Sequence, residues 1–335
     1  MDSGGKCASE VIQMTLRSAL MFFNHIFILL VITASFVANV FTVKKLYNHN
    51  IFPEGTRILL WSAIGNGCIH QITVAEIRLI TIYRVLVYGS DRCTILFPSS
   101  DCVYEQYLYY HTNFFTSFCC ISLFFDRLLS TNCVAYQYKY KIFVMIFLTF
   151  QTILPLFIII WVYSNGNTDG YVAMCNYPPM SVAGKYFWIN RARLVILGTF
   201  FILSICIFYY NKNVEKKIIH KIYDTLSRYK SYENVLATKA VCIIIVSQTA
   251  CLVITATGTE QIRKFFPPTM MDPLTGFMTG VTYCNFCLPI IILYQTSQII
   301  QRRKRAINAL TDETKNPTNE HFLSLRNAWN HITKI

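Results

Sequence analysis

Charge is scarce in this chain. Of its 335 residues, 14% are Asp, Glu, Lys or Arg and 54% are hydrophobic, whereas a soluble domain carries about 25% charged residues. The apolar residues fall in long blocks, which marks a polytopic membrane protein. Catalytic signatures are missing too. No nucleophile elbow, P-loop, dinucleotide fingerprint or HExxH occurs, so neither catalysis nor a cofactor is expected. No inverted repeat or interrupted helix pair suggests a transporter. No Asn-x-Ser/Thr sequon has an allowed middle residue; Asn316-Pro317-Thr318 is blocked by its proline. No cysteine follows Cys287, which excludes a palmitate on the tail. No second domain, internal repeat or low-complexity stretch is visible.

Seven apolar segments are present, near 20–43, 58–83, 104–129, 141–163, 188–210, 238–258 and 274–297. The expected architecture is all-α: seven membrane helices over 20–297, a short polar stretch 1–19 before them and a tail 298–335 after them. The first apolar run is too long for a signal-peptide core and no small-residue cleavage site follows it, so a permanent first helix is expected. Segments 2 and 3 are the most polar, with His70, Gln71, Glu76, Arg78, His111 and Asn113. Such side chains avoid lipid, so both helices are expected to line the bundle interior.

The net charge of +13 would suggest nucleic acid in a soluble protein. Here its distribution speaks for orientation instead. The alternate connections 44–57, 130–141 and 211–239 and the tail hold 19 of the 30 basic residues, while the opposite face holds 8. The net charges are about +12 and +1, which puts the basic face in the cytoplasm and the N-terminus outside. Residues 211–239 are rich in lysine, and Val214, Ile218, Ile222 and Leu226 recur every four positions. The fifth helix is therefore expected to continue into the cytoplasm as a basic amphipathic helix, able to meet a protein or anionic lipid. After the seventh helix, Arg302-Arg-Lys-Arg305 followed by Ile307 and Leu310 suits a short helix on the inner leaflet. Phe322, Leu325 and Trp329 are also at helical spacing, as in a docking helix or a loose tail.

Four of the 13 cysteines, Cys7, Cys93, Cys102 and Cys175, fall in the N-terminal stretch and the loops expected outside, and the other nine lie within or at the ends of membrane helices. An oxidising exterior allows bridges there. Cys102–Cys175 is the expected pair, Cys93–Cys175 the competing one, and Cys7 takes any leftover thiol. Cys284-x-x-Cys287 has half the spacing of a zinc site, but two further ligands are not apparent, so small-residue packing is the better reading and no metal is expected.

Asp126-Arg127 stands at the foot of the third segment. Cys102 and Arg127 are 25 positions apart, roughly 37 Å along a helix, a bilayer core with part of its interfaces. A buried Arg paired with its neighbouring acid makes a lock that a conformational change can release; the plain alternative is an interfacial Arg that only snorkels. Pro289 kinks the inner half of the seventh helix near Tyr294, as a switch hinge or a static bend. Towards the outer ends, Glu76, Arg78, Arg84, Glu105, Arg191 and Arg193 gather with Tyr107, Tyr109, Tyr110 and His111. They are candidates for an externally open ligand pocket; the alternative is mutual pairing and headgroup contact. The excess of Arg over Glu hints at anionic or polar ligands.

With these pieces in place the chain resembles the nematode serpentine receptor class alpha family of chemosensory seven-helix receptors. The resemblance is carried by Lys6-Cys7-Ala-Ser-Glu10, by Phe125-Asp126-Arg127-Leu-Leu-Ser-Thr131, by Arg228-Tyr-Lys-Ser-Tyr-Glu233-Asn-Val-Leu-Ala-Thr-Lys239-Ala-Val-Cys242, and by Leu288-Pro289 before Tyr294. It covers the whole chain. It implies a G-protein-coupled chemoreceptor of the plasma membrane in sensory neurons, with a small-molecule ligand and a heterotrimeric G protein as partners. It implicates Asp126, Arg127 and the 211–239 connection in coupling. Leu128 stands where rhodopsin-like receptors have Tyr, Leu288 replaces the Asn before the proline, and no Asp marks the middle of the second helix. A sodium-dependent lock and the usual seventh-helix switch are therefore not expected. A ligand-gated channel of the inverted seven-helix kind is the second reading, and it needs the N-terminus inside. A scaffold without ligand is the third.

Overall fold

The computed structural model describes residues 7–48, 52–164, 170–221 and 225–315, and every long element among them is helical. The helices are α1 (Glu10–Leu16), α2 (Ala19–Asn48), α3 (Glu54–Tyr88), α4 (Val103–Asn132), α5 (Val134–Tyr163), α6 (Met180–Lys221), α7 (Thr225–Phe265), α8 (Pro268–Phe277) and α9 (Gly280–Lys315). Seven stretches are long and apolar enough to cross a membrane, the last running through α8 and α9. The chain is a seven-helix multi-pass membrane protein.

The helices overrun the apolar segments at both ends. Apolar sequence marks only the stretch that lipid requires, while helical hydrogen bonding continues into water wherever nothing breaks it. The seventh segment departs from its expected single helix: it divides at Met278 and Thr279 into α8 and α9. Just past the break α9 presses on α7. A Cβ on Gly280 would meet Thr255 Oγ1 at 2.6 Å and the Cys251 carbonyl oxygen at 3.0 Å, so only glycine fits there.

α4 is the central post. Its inward residues Phe115, Cys119, Cys120, Leu123 and Phe124 pack with Leu59 and Leu60 of α3, Ala240 and Ile244 of α7 and Leu288 of α9. The outward faces are apolar as well. Leu30 and Val40 of α2, Phe157 and Ile160 of α5, and Val195 and Ile202 of α6 are exposed, as a bundle solvated by lipid requires.

One end of the bundle is closed by a cap that includes residues 7–18 of the stretch read as short and polar. Ser9 caps α1, its hydroxyl accepting from the Ile12 N–H at 3.3 Å. Ala8, Ile12 and Leu16 are buried against Leu96, Cys102 and Met174. Two disulfides, Cys7–Cys93 and Cys102–Cys175, fasten the cap. A two-residue antiparallel ribbon pairs Phe97 with Val172 and Pro98 with Tyr171.

At the opposite end α6 runs unbroken to Lys221, as expected for a fifth span that continues past the membrane. Ile222 and the side chains of 215–233 lie outside what is described, as does the stretch with Phe322, Leu325 and Trp329. The basic segment after 297 is not a separate helix. It forms the last turns of α9, continuous to Lys315.

Candidate functional site

Asp126 and Arg127 sit at the end of the bundle away from the disulfides, and both are buried. Arg127 donates from Nε and Nη2 to Asp126 Oδ2 at 2.9 and 2.6 Å. The Thr56 hydroxyl of α3 donates to the same oxygen at 2.7 Å and accepts from Arg127 Nη2. The Tyr136 hydroxyl at the start of α5 donates to the other carboxylate oxygen, Asp126 Oδ1. Burial and then the Asp126 carboxylate push the Tyr136 phenol well above its ordinary pKa. It therefore stays protonated and serves as a donor.

Four helices meet on this pair. On its far side Arg127 Nη1 reaches Asn234 Oδ1 of α7 at 3.4 Å, and Ser130 Oγ donates to the same oxygen at 3.1 Å. Asn234 Nδ2 donates to Thr131 Oγ1 at 3.1 Å. The acid is thus satisfied from α3, α4 and α5, and the cation also touches α7. Taking two charges out of water costs several kcal/mol per ion, which only such surrounding hydrogen bonds offset. Gly55 makes room for the cluster: a Cβ there would lie 3.0 Å from the Tyr136 hydroxyl and 3.2 Å from Asp126 Oδ1. Sequence spacing identifies Asp126 and Arg127. It gives no sign of Thr56, Tyr136 or Asn234, because they come from three other helices.

Pro289 lies buried inside α9, and Tyr294 is 60% exposed. Five positions place the two roughly 140° apart around a helix. Tyr294 therefore lies on the outward face of α9, away from the side on which Pro289 is buried.

The outer pocket candidates separate into two groups. Arg78 is buried between helices and donates to Asn24 Oδ1 at 2.7 Å and to the Gly276 carbonyl at 3.1 Å, with His25 Nδ1 at 3.1 Å. Tyr109 meets the His70 ring at a tilt and the Tyr110 ring edge-on, with centroids 5.3 and 5.4 Å away. Tyr110 is buried, and its hydroxyl donates to the Asn176 carbonyl. Arg193 of α6 reaches inward to the Asn113 side chain of α4 and lies over the Phe114 ring. These four belong to the interior.

The others do not join them. Glu76 lies on the outward face of α3 with Ile72, Leu79 and Ile80. His111 contacts the Thr152 carbonyl of α5 at 3.2 Å. Arg84 donates to the Leu96 carbonyl and lies 4.1 Å from the Phe97 ring centroid, holding the cap. Arg191 is exposed, over Phe187 and 3.5 Å from Glu260 of α7. Tyr107 packs on Tyr163, and Glu105 is half-buried with Oε2 unpartnered. The expectation of one cluster fails because residue type does not say which way a helix is turned. Gln106 was missed: buried, it donates to the Tyr177 carbonyl and accepts from the Tyr163 hydroxyl, both at 3.1 Å. Among the described residues no group of three or more His, Cys, Asp or Glu side chains is placed to hold a metal ion.

The family model described as serpentine type 7TM GPCR chemoreceptor Sra matches residues 2–329. Serpentine receptor class alpha-31 of Caenorhabditis elegans is 53% identical over 332 residues, 98% of this chain and 97% of that protein. Serpentine receptor class alpha-29 of the same organism is 45% identical over 96% of this chain and 94% of its own, and class alpha-28 is 41% identical over 98% and 97%. A bundle of seven membrane-spanning helices with matches over nearly its full length leaves one assignment: the chain belongs to the Sra family of serpentine seven-transmembrane chemoreceptors, a receptor family and not an enzymatic one.

Proposed function

We propose that this chemoreceptor lies in the plasma membrane of sensory neurons with its disulfide end outside, binds a small molecule there, and signals to a heterotrimeric G protein through the Asp126–Arg127 end. The observation that carries the reading is the position of Arg127. It is fully buried, held by Asp126 and Thr56, and touches α7 through Asn234. A displacement of α7 breaks the Asn234 contact first and leaves the cation short of a partner. A ligand shifts the balance only by its different affinity for the two arrangements. Supporting this, the excess positive charge lies at the same end as Arg127, and Cys7, Cys93, Cys102 and Cys175 are all bridged at the other.

The test has two parts. Tags at the N-terminus and in 211–239 are stained on intact cells; access to the N-terminal tag alone is expected. Access to the loop alone inverts the topology and moves the channel reading to first place. Arg127→Ala is then expected to abolish or unbalance signalling to a G-protein reporter at matched surface expression. Normal signalling from that variant refutes the role of Arg127.

A further inference from the structure

Along α3 the exposed residues Gly65, Ile69, Ile72, Glu76, Leu79 and Tyr83 recur at spacings of four, three, four, three and four. That repeat of about 3.5 residues marks the seam of a left-handed helix pair, yet nothing in this chain lies against it. Trp61 and Tyr83, 41% and 59% exposed, stand 22 positions apart on the same helix. That is roughly 33 Å, the thickness of a bilayer core between two aromatic belts. Glu76 is seven positions from Tyr83, so it lies roughly 10 Å inside the outer belt.

Two residues on this seam are ill suited to lipid. The first is Glu76, since an unpaired ionisable group facing hydrocarbon is costly. Among the described residues no cation or hydrogen-bond donor reaches it. The exposed hydroxyls of Thr33, Thr152 and Thr199 solve the same problem locally, donating to the carbonyls four positions before them at 2.9, 2.9 and 3.0 Å. A carboxylate has no proton to give, and the backbone N–H groups around it are spent on the helix. Its partner comes from outside the chain. The second is Gly65. Glycine within a helix costs about 1 kcal/mol against alanine, and here a Cβ would meet nothing within 4 Å. Its own fold therefore gains nothing from the missing side chain, whereas a bare backbone on a lipid-facing helix lets another helix come close.

Acyl chains answer neither residue, but a second copy answers both. Copies of one chain insert in one orientation, so residue 76 of one copy stands at the depth of residue 76 of the next. Across a two-fold axis along the membrane normal the two carboxyls face each other. A protonated carboxyl donates to its neighbour's oxygen, so each is the other's partner. One polar residue on an apolar seam also fixes its register. We propose that α3 pairs with α3 of a second copy of this chain, the backbones closing at Gly65 and the two Glu76 carboxyls hydrogen-bonded to each other. The pairing is independent of which ligand or G protein the receptor uses.

The experiment is resonance energy transfer between donor-tagged and acceptor-tagged full-length receptor, purified and reconstituted at low density in phosphatidylcholine vesicles. Transfer above that of an unrelated seven-helix protein at equal density is expected. Glu76→Leu is expected to weaken association about 3- to 30-fold, the range of interhelical hydrogen bonds in a membrane. Glu76→Gln keeps a group that both donates and accepts and should stay within a few-fold of the unaltered chain. Gly65→Leu meets nothing in its own chain and is expected to weaken association by about threefold or more at an unchanged melting temperature. In native membranes Ile72→Cys, on the seam, should crosslink between copies above the wild-type level, and Val195→Cys, exposed on α6, should not. Transfer no higher than the control, or unchanged association in Glu76→Leu or Gly65→Leu, overturns the proposal. Glu76→Gln as weak as Glu76→Leu overturns it too, because the mutual hydrogen bond is then absent. So does crosslinking through Val195→Cys alone. Association in native membranes but not in pure phosphatidylcholine also overturns it, since that gives the face to a different membrane protein.

Discussion

Ser35 of α2 donates its hydroxyl to the Asn285 carbonyl of α9 at 3.2 Å, and that carbonyl is the one Pro289 leaves without its backbone partner. Proline at position i has no N–H for the carbonyl at i−4, and Asn285 is four positions before Pro289. One helical turn further along, Thr42 of α2 donates to the Pro289 carbonyl at 3.0 Å. The kinked helix is thus sewn to α2 by two hydroxyls, and the expected proline hinge has a partner that its own segment did not announce. In lipid a neighbouring helix is where a freed carbonyl finds a donor.

Ser35→Ala is expected to cost about 1–3 kcal/mol, since it leaves a buried carbonyl unsatisfied. In a Pro289→Ala background the new backbone N–H serves that carbonyl, and the cost of Ser35→Ala should fall towards zero. Melting of the four purified variants gives the coupling; additive losses would show that the serine acts in some other way.

At Arg127, the contact most easily lost is the one to α7. Asn234→Ala removes it while the Asp126 and Thr56 bonds remain. The expected result is a higher basal signal to a G-protein reporter, with a stability loss of about 1 kcal/mol for the hydrogen bond. Asp126→Ala differs in kind. It strands a buried cation, and a loss of about 3–5 kcal/mol in purified receptor is expected. Equal effects of the two substitutions on stability would contradict the division of labour described here.

Gly55→Ala sets two effects against each other. Alanine is the better helix former by about 0.8–1.0 kcal/mol. Its Cβ, however, would lie 3.0 Å from the Tyr136 hydroxyl, 3.1 Å from Val144 Cγ2 and 3.2 Å from Asp126 Oδ1, and overpacking of this sort costs about 1–3 kcal/mol. The crowding is expected to win. A lower melting temperature and an altered basal signal are predicted, and Val144→Ala should recover part of the stability. A more stable Gly55→Ala would mean that the cluster has slack.

The cap offers a separate test. Cys7 and Cys93 close a loop of 86 positions, and their joint replacement by serine is expected to cost about 2–4 kcal/mol. Because α1 is also held by Gln13 Nε2 on the Gly89 carbonyl and by the Ala8 N–H on the Arg92 carbonyl, both at 2.7 Å, it should loosen without leaving. Protease cutting within 8–18 should rise, while the Cys102–Cys175 bridge stays intact by mass spectrometry. No change in either stability or cutting would show that the bridge adds nothing to the buried face of Ile12 and Leu16.

The sequence by itself determined the seven spans, the charge asymmetry of their ends, the third helix with Asp126-Arg127 at its foot, and the family. These follow from sums over local residue choices: an apolar run long enough for a bilayer, a count of lysines and arginines, a pair of neighbours, a set of motifs. Tertiary structure alone decided which side of each helix faces inward. It turned Glu76, His111 and Tyr294 away from the sites expected of them. It brought Asn24 and His25 to Arg78, Asn113 to Arg193, Asn234 to Arg127 and Ser35 to Asn285. The apolar residues of α2, α5 and α6 run all the way round each helix, on faces packed inside and on faces open to lipid. A helix apolar all round carries no stripe to announce its rotation, so the few polar groups find their partners only when seven helices pack at once.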